Sequence, residues 1–183
     1  MAKLIKLDLH THPIEALRKE MGIKGISEIT PEVAGVVVSA VKSAGLNGIA
    51  ITGYSNFIQS WVACLQILDH FRQANLLVLP GTEIDFAGQS CLQIYVPPYI
   101  RRRVPFFREK EWFFILAHPG FAGPVDFESV SRIDFDAVEG KSLRGEFPAA
   151  LQLSQDKKLP LIQSSDAQKL ADIGRLFIEV EFR

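Results

Sequence analysis

Cysteine is nearly absent from this 183-residue chain: only Cys64 and Cys91 occur. Two isolated thiols do not make a disulfide framework, so a reducing cytoplasm is the expected setting. Long apolar runs are missing too. Lysines and an aspartate interrupt the amino-terminal MAKLIKLDLHTHP before it reaches the length of a signal-peptide core. No stretch attains the roughly 18 apolar residues of a membrane span, so a soluble, unprocessed protein with no membrane partner is expected. Neither sign of charge is in excess. Twenty Lys and Arg against 21 Asp and Glu leave a formal net charge of -1, which gives no global field for nucleic acid or anionic lipid. An anionic ligand must therefore be held by local groups. No glycine-rich turn of the dinucleotide-binding type follows an early strand, and no internal repeat or low-complexity linker is present.

What the chain does have is enough apolar residue, 48%, to bury one good core, and a single domain over residues 1–183 is expected. Short apolar runs alternate with segments of helical period, the pattern of βα units. Residues 4–9 read as a strand. TPEVAGVVVSAVKSAG reads as a helix marked at both ends, with Thr30 as N-cap, Pro31 in the first position and Gly45 at the close. NGIAIT is a strand, and Asn56–Gln73 an amphipathic helix carrying Phe57, Trp61, Cys64, Leu65, Leu68 and Phe71 on one face. LLVLPGTEIDF, SCLQIYV, EWFFILAHPG, FDAVEG, LPLIQSSD and GRLFIEVEF read as further strands, and GEFPAALQLSQDKK as a helix. Such a series forms either an open doubly wound sheet or a barrel, and the length falls short of a full eight-unit barrel of about 250 residues.

The polar residues fall at strand ends. His10 and His12 close the first strand, and their i, i+2 spacing sends both to one face. Glu83, His118 and Asp166 end three later strands. Convergence at the carboxyl ends of strands is where β/α folds carry their chemistry. Two imidazoles with carboxylates suit zinc, manganese or ferrous iron better than calcium or magnesium. Glu83 has an oxygen for each of two ions, which would lie about 3.5 to 4 Å apart. Taken singly, His10 or His118 is as readily a hydrogen-bonding residue at the end of a strand; it is the set that points to a metal.

DLHTHP, PGTEIDF, LAHPG and SSDA, in this order and at this spacing, resemble the motifs of the PHP (polymerase and histidinol phosphatase) superfamily over essentially the whole chain. The resemblance implies an irregular, shortened (βα)7-type α/β barrel with metal at its carboxyl end. It implies a metal-dependent phosphoesterase, hydrolysing a small phosphorylated substrate by metal-activated water at a mono- or binuclear site. His10, His12, Glu83 and Asp166 resemble the ligands of the first ion. Glu83 would bridge to a second, also bound by His118. Where the family usually supplies a further histidine, the nearest counterpart is Cys91, either a thiolate ligand or buried packing. Glu139 resembles the acidic residue that braces the site from behind its ligands.

Departures from the pattern fall together. ITGYSN, with Gly53 and Tyr54, replaces the family's T-D-H; SDAQ, with Gln168, replaces D-x-H; and Arg18 stands nearest to a missing histidine. All belong to a third metal site, whose loss leaves one or two ions. Arg18 and Gln168 then become candidates to hold a substrate phosphate, and Tyr54 to orient it or donate to the leaving oxygen. The alternative is a catalytically weak protein that binds metal or a phosphorylated ligand as a sensor or partner module, with these residues filling the vacancy. Hydrolysis of another metal-activated bond, such as an amide, is a third reading. The run containing Arg101, Arg102, Arg103 and Arg108 is read as a solvated loop, with nucleic acid as the alternative partner. Lys141 and Arg144, beyond DAVEG, would contact an anionic substrate or solvent, with solvent the simpler expectation. Oligomeric state leaves no mark in the sequence.

Overall fold

A computed structural model describes residues 2–54, 57–86 and 88–183, with the backbone alone for residues 57–60. The expected helix start at Asn56 lies outside the described residues, as does the side chain of Phe57. In chain order the elements are β1 (Lys3–Thr11), α1 (Pro13–Met21), α2 (Pro31–Ser43), β2 (Gly48–Ile51), α3 (Phe57–Gln73), β3 (Leu77–Phe86), β4 (Gln89–Tyr95), α4 (Pro98–Arg101), β5 (Trp112–Leu116), α5 (Phe127–Ser131), β6 (Ala137–Ser142), β7 (Gly145–Glu146), α6 (Pro148–Lys157), β8 (Leu161–Gln163) and β9 (Ile178–Phe182). Thr30 caps α2 by accepting the Val33 N–H at 3.4 Å, and Pro31 follows it. Such a cap contributes about 1 kcal/mol. Ala34, Val37, Val38 and Val41 form the buried stripe of α2.

The strands make one sheet in the order β7-β6-β5-β4-β3-β2-β1-β9, with β8 also paired to β6. Parallel pairs join β1 to β2, β2 to β3, β5 to β6 and β6 to β8. The middle differs from a continuous βα series: β3, β4 and β5 run antiparallel, and β9 returns antiparallel along β1. The sheet curls into a half-barrel. Ile5 and Ile178 from one side of it and Ala137 and Ile162 from the other meet in a single interior cluster with Leu79, Leu92, Ile94 and Ile115. Beyond β8 the chain rejoins β1, where the His12 N–H donates to the Ala167 carbonyl at 3.0 Å and Thr11 bridges Ala167. Two outer layers complete the packing. One sets α2 and α3 on Ile49, Ile51 and Val78. The other sets Val130, Ala150 and Leu153 on Leu116 and Val138.

Two local features aim the polar residues inward. Asp8 pairs with Ile49 and Thr11 with Ile51, so β1 carries one extra residue between them. This bulge breaks the alternation: Asp8 and Thr11 keep the outer face, and His10 joins the inner one. Bulges near functional sites commonly re-aim side chains in this way. The second feature is a change of backbone conformation at the ends of two other chain segments, with φ 30° at His118 and φ 52° at Asp166. Positive φ at a non-glycine residue costs on the order of 1 to 3 kcal/mol. Both residues are buried and polar. The basic run lies at the other end of the molecule: Arg103 packs over Phe182, which pairs with Lys3 at the start of β1. No helix among the described residues is long and apolar enough to cross a membrane.

Candidate metal centre

His10, His12, Glu83, His118 and Asp166 come together at the carboxyl end of the parallel strands, each at most 8% exposed. Glu83 is the centre. Its Oε2 lies 3.4 Å from Nε2 of both His10 and His12, and its Oε1 lies 3.2 Å from His118 Nε2. Asp166 Oδ1 approaches His12 Nε2 at 3.1 Å and His10 Nε2 at 3.6 Å. Ligand atoms of His10, His12 and Glu83, and likewise of His10, His118 and Asp166, fall within 4.8 Å of one another. One carboxylate thus faces imidazoles with both oxygens, the arrangement two neighbouring cations require.

Glu139 stands behind the cage, fully buried. Its Oε1 lies 3.1 Å from His10 Nδ1 and also accepts from the Ser164 hydroxyl, and its Oε2 accepts the His118 N–H at 2.9 Å. A proton held on Nδ1 leaves the His10 Nε2 lone pair for a metal, as carboxylate–histidine–metal sites require. Asp8 holds the frame from the outer face of β1. It accepts from the Ser165 N–H at 3.0 Å, the Ser165 hydroxyl at 2.5 Å and the Gly174 N–H at 2.9 Å, tying β1 to the chain after β8. Burial raises its carboxyl to about 6, against these hydrogen bonds.

Electrostatics and geometry both fit a divalent ion. Burial works against a charged Glu83, but hydrogen bonds from His10 and His118 and charge on His10 and His12 hold its carboxyl well below the usual range. Asp166 is likewise held low against its burial, by His12, His10 and Arg144. Burial opposes charge on His10, yet Glu139, Glu83 and Asp166 keep its pKa well above the ordinary value. A cage that pulls a proton onto a buried imidazole is short of positive charge, and a metal ion competes for the same place. Both ring nitrogens of His12 are buried without a hydrogen bond among the described residues. Buried polar atoms are rarely left so, and a metal would satisfy Nε2.

Cys91 is corrected by the strand register. Cys91 pairs with Ile84, whereas Leu92 pairs with Glu83, so alternation turns the Cys91 thiol to the outer layer beside Leu116 and Phe147. Burial pushes that thiol up to about 12, the opposite of what a thiolate ligand needs. By the same alternation Ser90, not Cys91, occupies the site-facing position of β4. Arg18 is exposed on α1 and makes no hydrogen bond or ion pair with the cage among the described residues, while its neighbour Lys19 reaches Gln168 Oε1 at 3.3 Å.

Tyr54 and Gln168 do meet at the mouth. The Tyr54 ring stacks on His12 at 4.4 Å between centroids, and its hydroxyl accepts from Gln168 Nε2 at 2.9 Å and from Arg144 Nη2 at 3.0 Å. Arg144 is the residue that sequence reasoning underrated. Its Nε donates to Asp166 Oδ2 and its Nη2 lies 3.4 Å from Asp166 Oδ1, while the guanidinium covers the Phe121 ring at 4.9 Å. The available signal was its place just beyond the strand that carries Glu139. Lys141, by contrast, is paired with Glu146 at 3.0 Å. Gly53 leaves room for a further carboxylate: a Cβ there would come within 3.1 and 3.2 Å of the two Glu15 oxygens.

No protein-family model matches the sequence, and neither does any curated protein. Solved structures do share its fold. A two-domain protein from Bacteroides vulgatus, containing a predicted PHP-like metal-dependent phosphoesterase, superposes with a TM-score of 0.63 and 17% identity over 92% of this chain and 53% of its own. This chain thus spans about half the length of that protein. A predicted metal-dependent phosphoesterase from Bifidobacterium adolescentis gives a TM-score of 0.62 and 14% identity, over 93% of this chain and 91% of its own. At such identities the likeness is one of fold.

Proposed function

We propose that residues 1–183 form one PHP-like hydrolase domain, a shortened relative of the seven-unit barrel, that cleaves phosphoric esters with one or two divalent ions. Zinc, manganese and iron all suit its mixed nitrogen and oxygen donors. The observation that carries the reading is the division of Glu83, with Oε2 toward His10 and His12 and Oε1 toward His118. His10, His12 and Asp166 would hold one position, and His118 with the other Glu83 oxygen the second. When bound, the metal supplies Lewis acidity toward a phosphoryl oxygen and lowers the pKa of a water toward neutrality.

The remaining work falls to groups of the chain. Glu139 keeps the His10 proton on Nδ1. Arg144, anchored on the cage residue Asp166 as Arg18 is not, is the cation that would bind a phosphoryl oxygen; a planar fork suits that task. Gln168 and Arg144 both donate to the Tyr54 oxygen, which leaves the phenolic proton to be given to the leaving-group oxygen. Burial, with the nearby Glu83 and Asp166 charges, raises the Tyr54 pKa, so the phenol stays protonated at neutral pH. A small phosphorylated substrate fits this mouth better than a nucleic-acid duplex, because the basic run is at the other end of the molecule.

The test is elemental analysis of protein purified without chelator, then a phosphomonoester and oligonucleotide screen with added manganese or zinc. Stoichiometric metal with turnover, lost on substitution of Glu83, is the expected result. Protein that takes up no metal would sink the reading. One observation favours a second reading, a sensor or binding module: Arg144 is already satisfied by Asp166 and Tyr54. Metal-loaded protein inert on the whole panel, yet binding a phosphorylated ligand, would select it.

A further inference from the structure

Away from the cage the sheet stays open. It closes beyond β8, where Ala167 meets β1, but β8 pairs with β6 and β9 with β1, and the two do not pair with each other. The tie across this seam is a side chain: Gln163 Nε2 donates to the Phe177 carbonyl at 3.1 Å. The edges therefore stand further apart than the roughly 4.8 Å of paired strands. A groove of about 1010 Å³ runs along the seam, lined by Ile162, Gln163, Ile178, Val180 and, from α6, Leu151. In a continuous βα series a helix would follow β8 and cover it. Here the stretch between β8 and β9 carries a three-residue 3₁₀ turn, Leu170–Asp172, and Leu151 and Leu161 beside the groove are 53% and 48% exposed.

Both edges turn backbone groups to the seam. Within a strand the N–H and C=O of one residue point the same way, and the direction alternates along the chain. The Arg183 N–H donates away from β1, to the Arg103 carbonyl at 2.8 Å, and the Phe177 carbonyl accepts from Gln163. Glu179 and Glu181 lie between them in the same phase. Their N–H and C=O groups therefore face the groove, without a partner among the described residues. On β8 the Val138 N–H donates to the Pro160 carbonyl at 3.1 Å and the Ser164 N–H to the Lys141 carbonyl at 3.2 Å, which leaves Leu161 and Gln163 facing the seam. Two rows of donors and acceptors across an apolar floor are what an added strand requires.

Charge defines the strand that fits. Ile178 and Val180 point into the interior with Ile162, so alternation sends Glu179 and Glu181 outward. Glu179 is met by Lys6 at 3.8 Å with both side chains about half exposed, a surface pair of little worth. Glu146 lines the same groove, already paired with Lys141 at 3.0 Å. The seam is acidic on balance. A second copy of the chain suits it poorly, because pairing β9 with its twin about Val180 sets Glu179 opposite Glu181, and like charges directly opposite destabilise a sheet. We infer that the seam between β8 and β9 is a docking groove for an extended segment of another protein, basic at alternate positions and apolar between, which joins the sheet as a further strand. This docking site is independent of the phosphoesterase reading.

Fluorescence anisotropy of the full chain with labelled hexapeptides is the test. One peptide alternates lysine and valine, one alternates glutamate and valine, and a third is the first with alternate amides N-methylated. The lysine–valine peptide should bind saturably and about tenfold tighter than its acidic counterpart, since two cross-strand charge pairs change from attraction to repulsion. N-methylation should abolish binding. Hydrogen exchange at the Glu179 and Glu181 amides should slow when the unmodified peptide is added. Glu179→Lys with Glu181→Lys should reverse the preference, and the milder Glu179→Gln with Glu181→Gln should erase it. Absence of saturable binding, equal binding of the N-methylated peptide, or a preference that survives both double variants overturns the docking site. A dimer in sedimentation whose Glu179 and Glu181 amides are already protected puts a second copy in the groove and overturns it too.

Discussion

The cage and its rim lie a few ångströms apart and are built on opposite terms. In the cage, His10, His12 and Glu139 have no solvent exposure, and Glu139 alone serves an imidazole, a backbone N–H and a hydroxyl. In the rim, Tyr54 is half exposed and Arg144 holds Asp166 with a side chain 29% open to solvent. Buried charges cost several kcal/mol each unless compensated, so His10, Glu83, Glu139 and Asp166 each have fixed partners within the cage or behind it. Rim residues are partly solvated, so exchanging a partner for water or ligand costs them less. The difference separates a part that must be rigid to hold a cation from a part that can answer to a substrate.

The contrast is broken most severely at Glu139. Glu139→Ala leaves the His10 Nδ1, the His118 N–H and the Ser164 hydroxyl buried without their acceptor. A loss of about 3 to 5 kcal/mol in denaturant unfolding is expected, together with loss of metal by elemental analysis. A variant as stable and metal-rich as the wild type would mean that Glu139 braces nothing.

Asp8→Asn tests the frame under the cage. The Asp8 carboxyl rises from 3.8 to about 6 on folding, so the folded state binds the extra proton. Its contribution to stability is complete below the unfolded value near 4 and is lost as pH rises through 6. That window is worth up to about 3 kcal/mol. Glu83 and Asp166, held low, act in the other direction and at lower pH, where their stabilisation is lost as they protonate. The stability gap between wild type and Asp8→Asn should therefore narrow between pH 4 and 7. A pH-independent gap in urea titrations would remove this account.

A rim substitution should leave the cage alone. Arg144→Lys keeps the charge but loses the fork, so inorganic phosphate should bind about tenfold more weakly, roughly 1.4 kcal/mol. Metal content should not change. If metal is lost instead, Arg144 belongs to the cage. Smallest of all is Cys91→Ala, where unchanged metal stoichiometry and a stability loss of about 1 kcal/mol are expected from outer-layer packing.

Much of this was legible in the chain. The α2 helix, capped by Thr30, and β1, β2, β3 and β5 follow from local period and end signals. The positions of His10, His12, Glu83, His118 and Asp166 at the ends of segments pointed to a common site. Helix α1 has Pro13 at its first position and Gly22 in the left-handed region at its close, but its N-cap is His12, with no side-chain cap bond, and a residue that reads as a metal ligand hides the helix start. The antiparallel β3–β4–β5 run was equally hidden, since apolar runs do not reveal strand direction. Cys91 shows the limit of spacing: one residue of register turns a strand side chain to the opposite face.

By itself the sequence determined the α/β character of the chain, the donor types and their order, because propensity, capping and residue chemistry are local. Only the tertiary structure decided what those donors face. A bulge in β1 and positive φ at His118 and Asp166 turn the imidazoles and carboxylate inward, and the register of β4 turns Cys91 out. Arg144 meets Asp166 across 22 residues and Tyr54 across 90. Contacts at that range are fixed by how the sheet curls, and the sheet curls because its two sides must share one apolar interior.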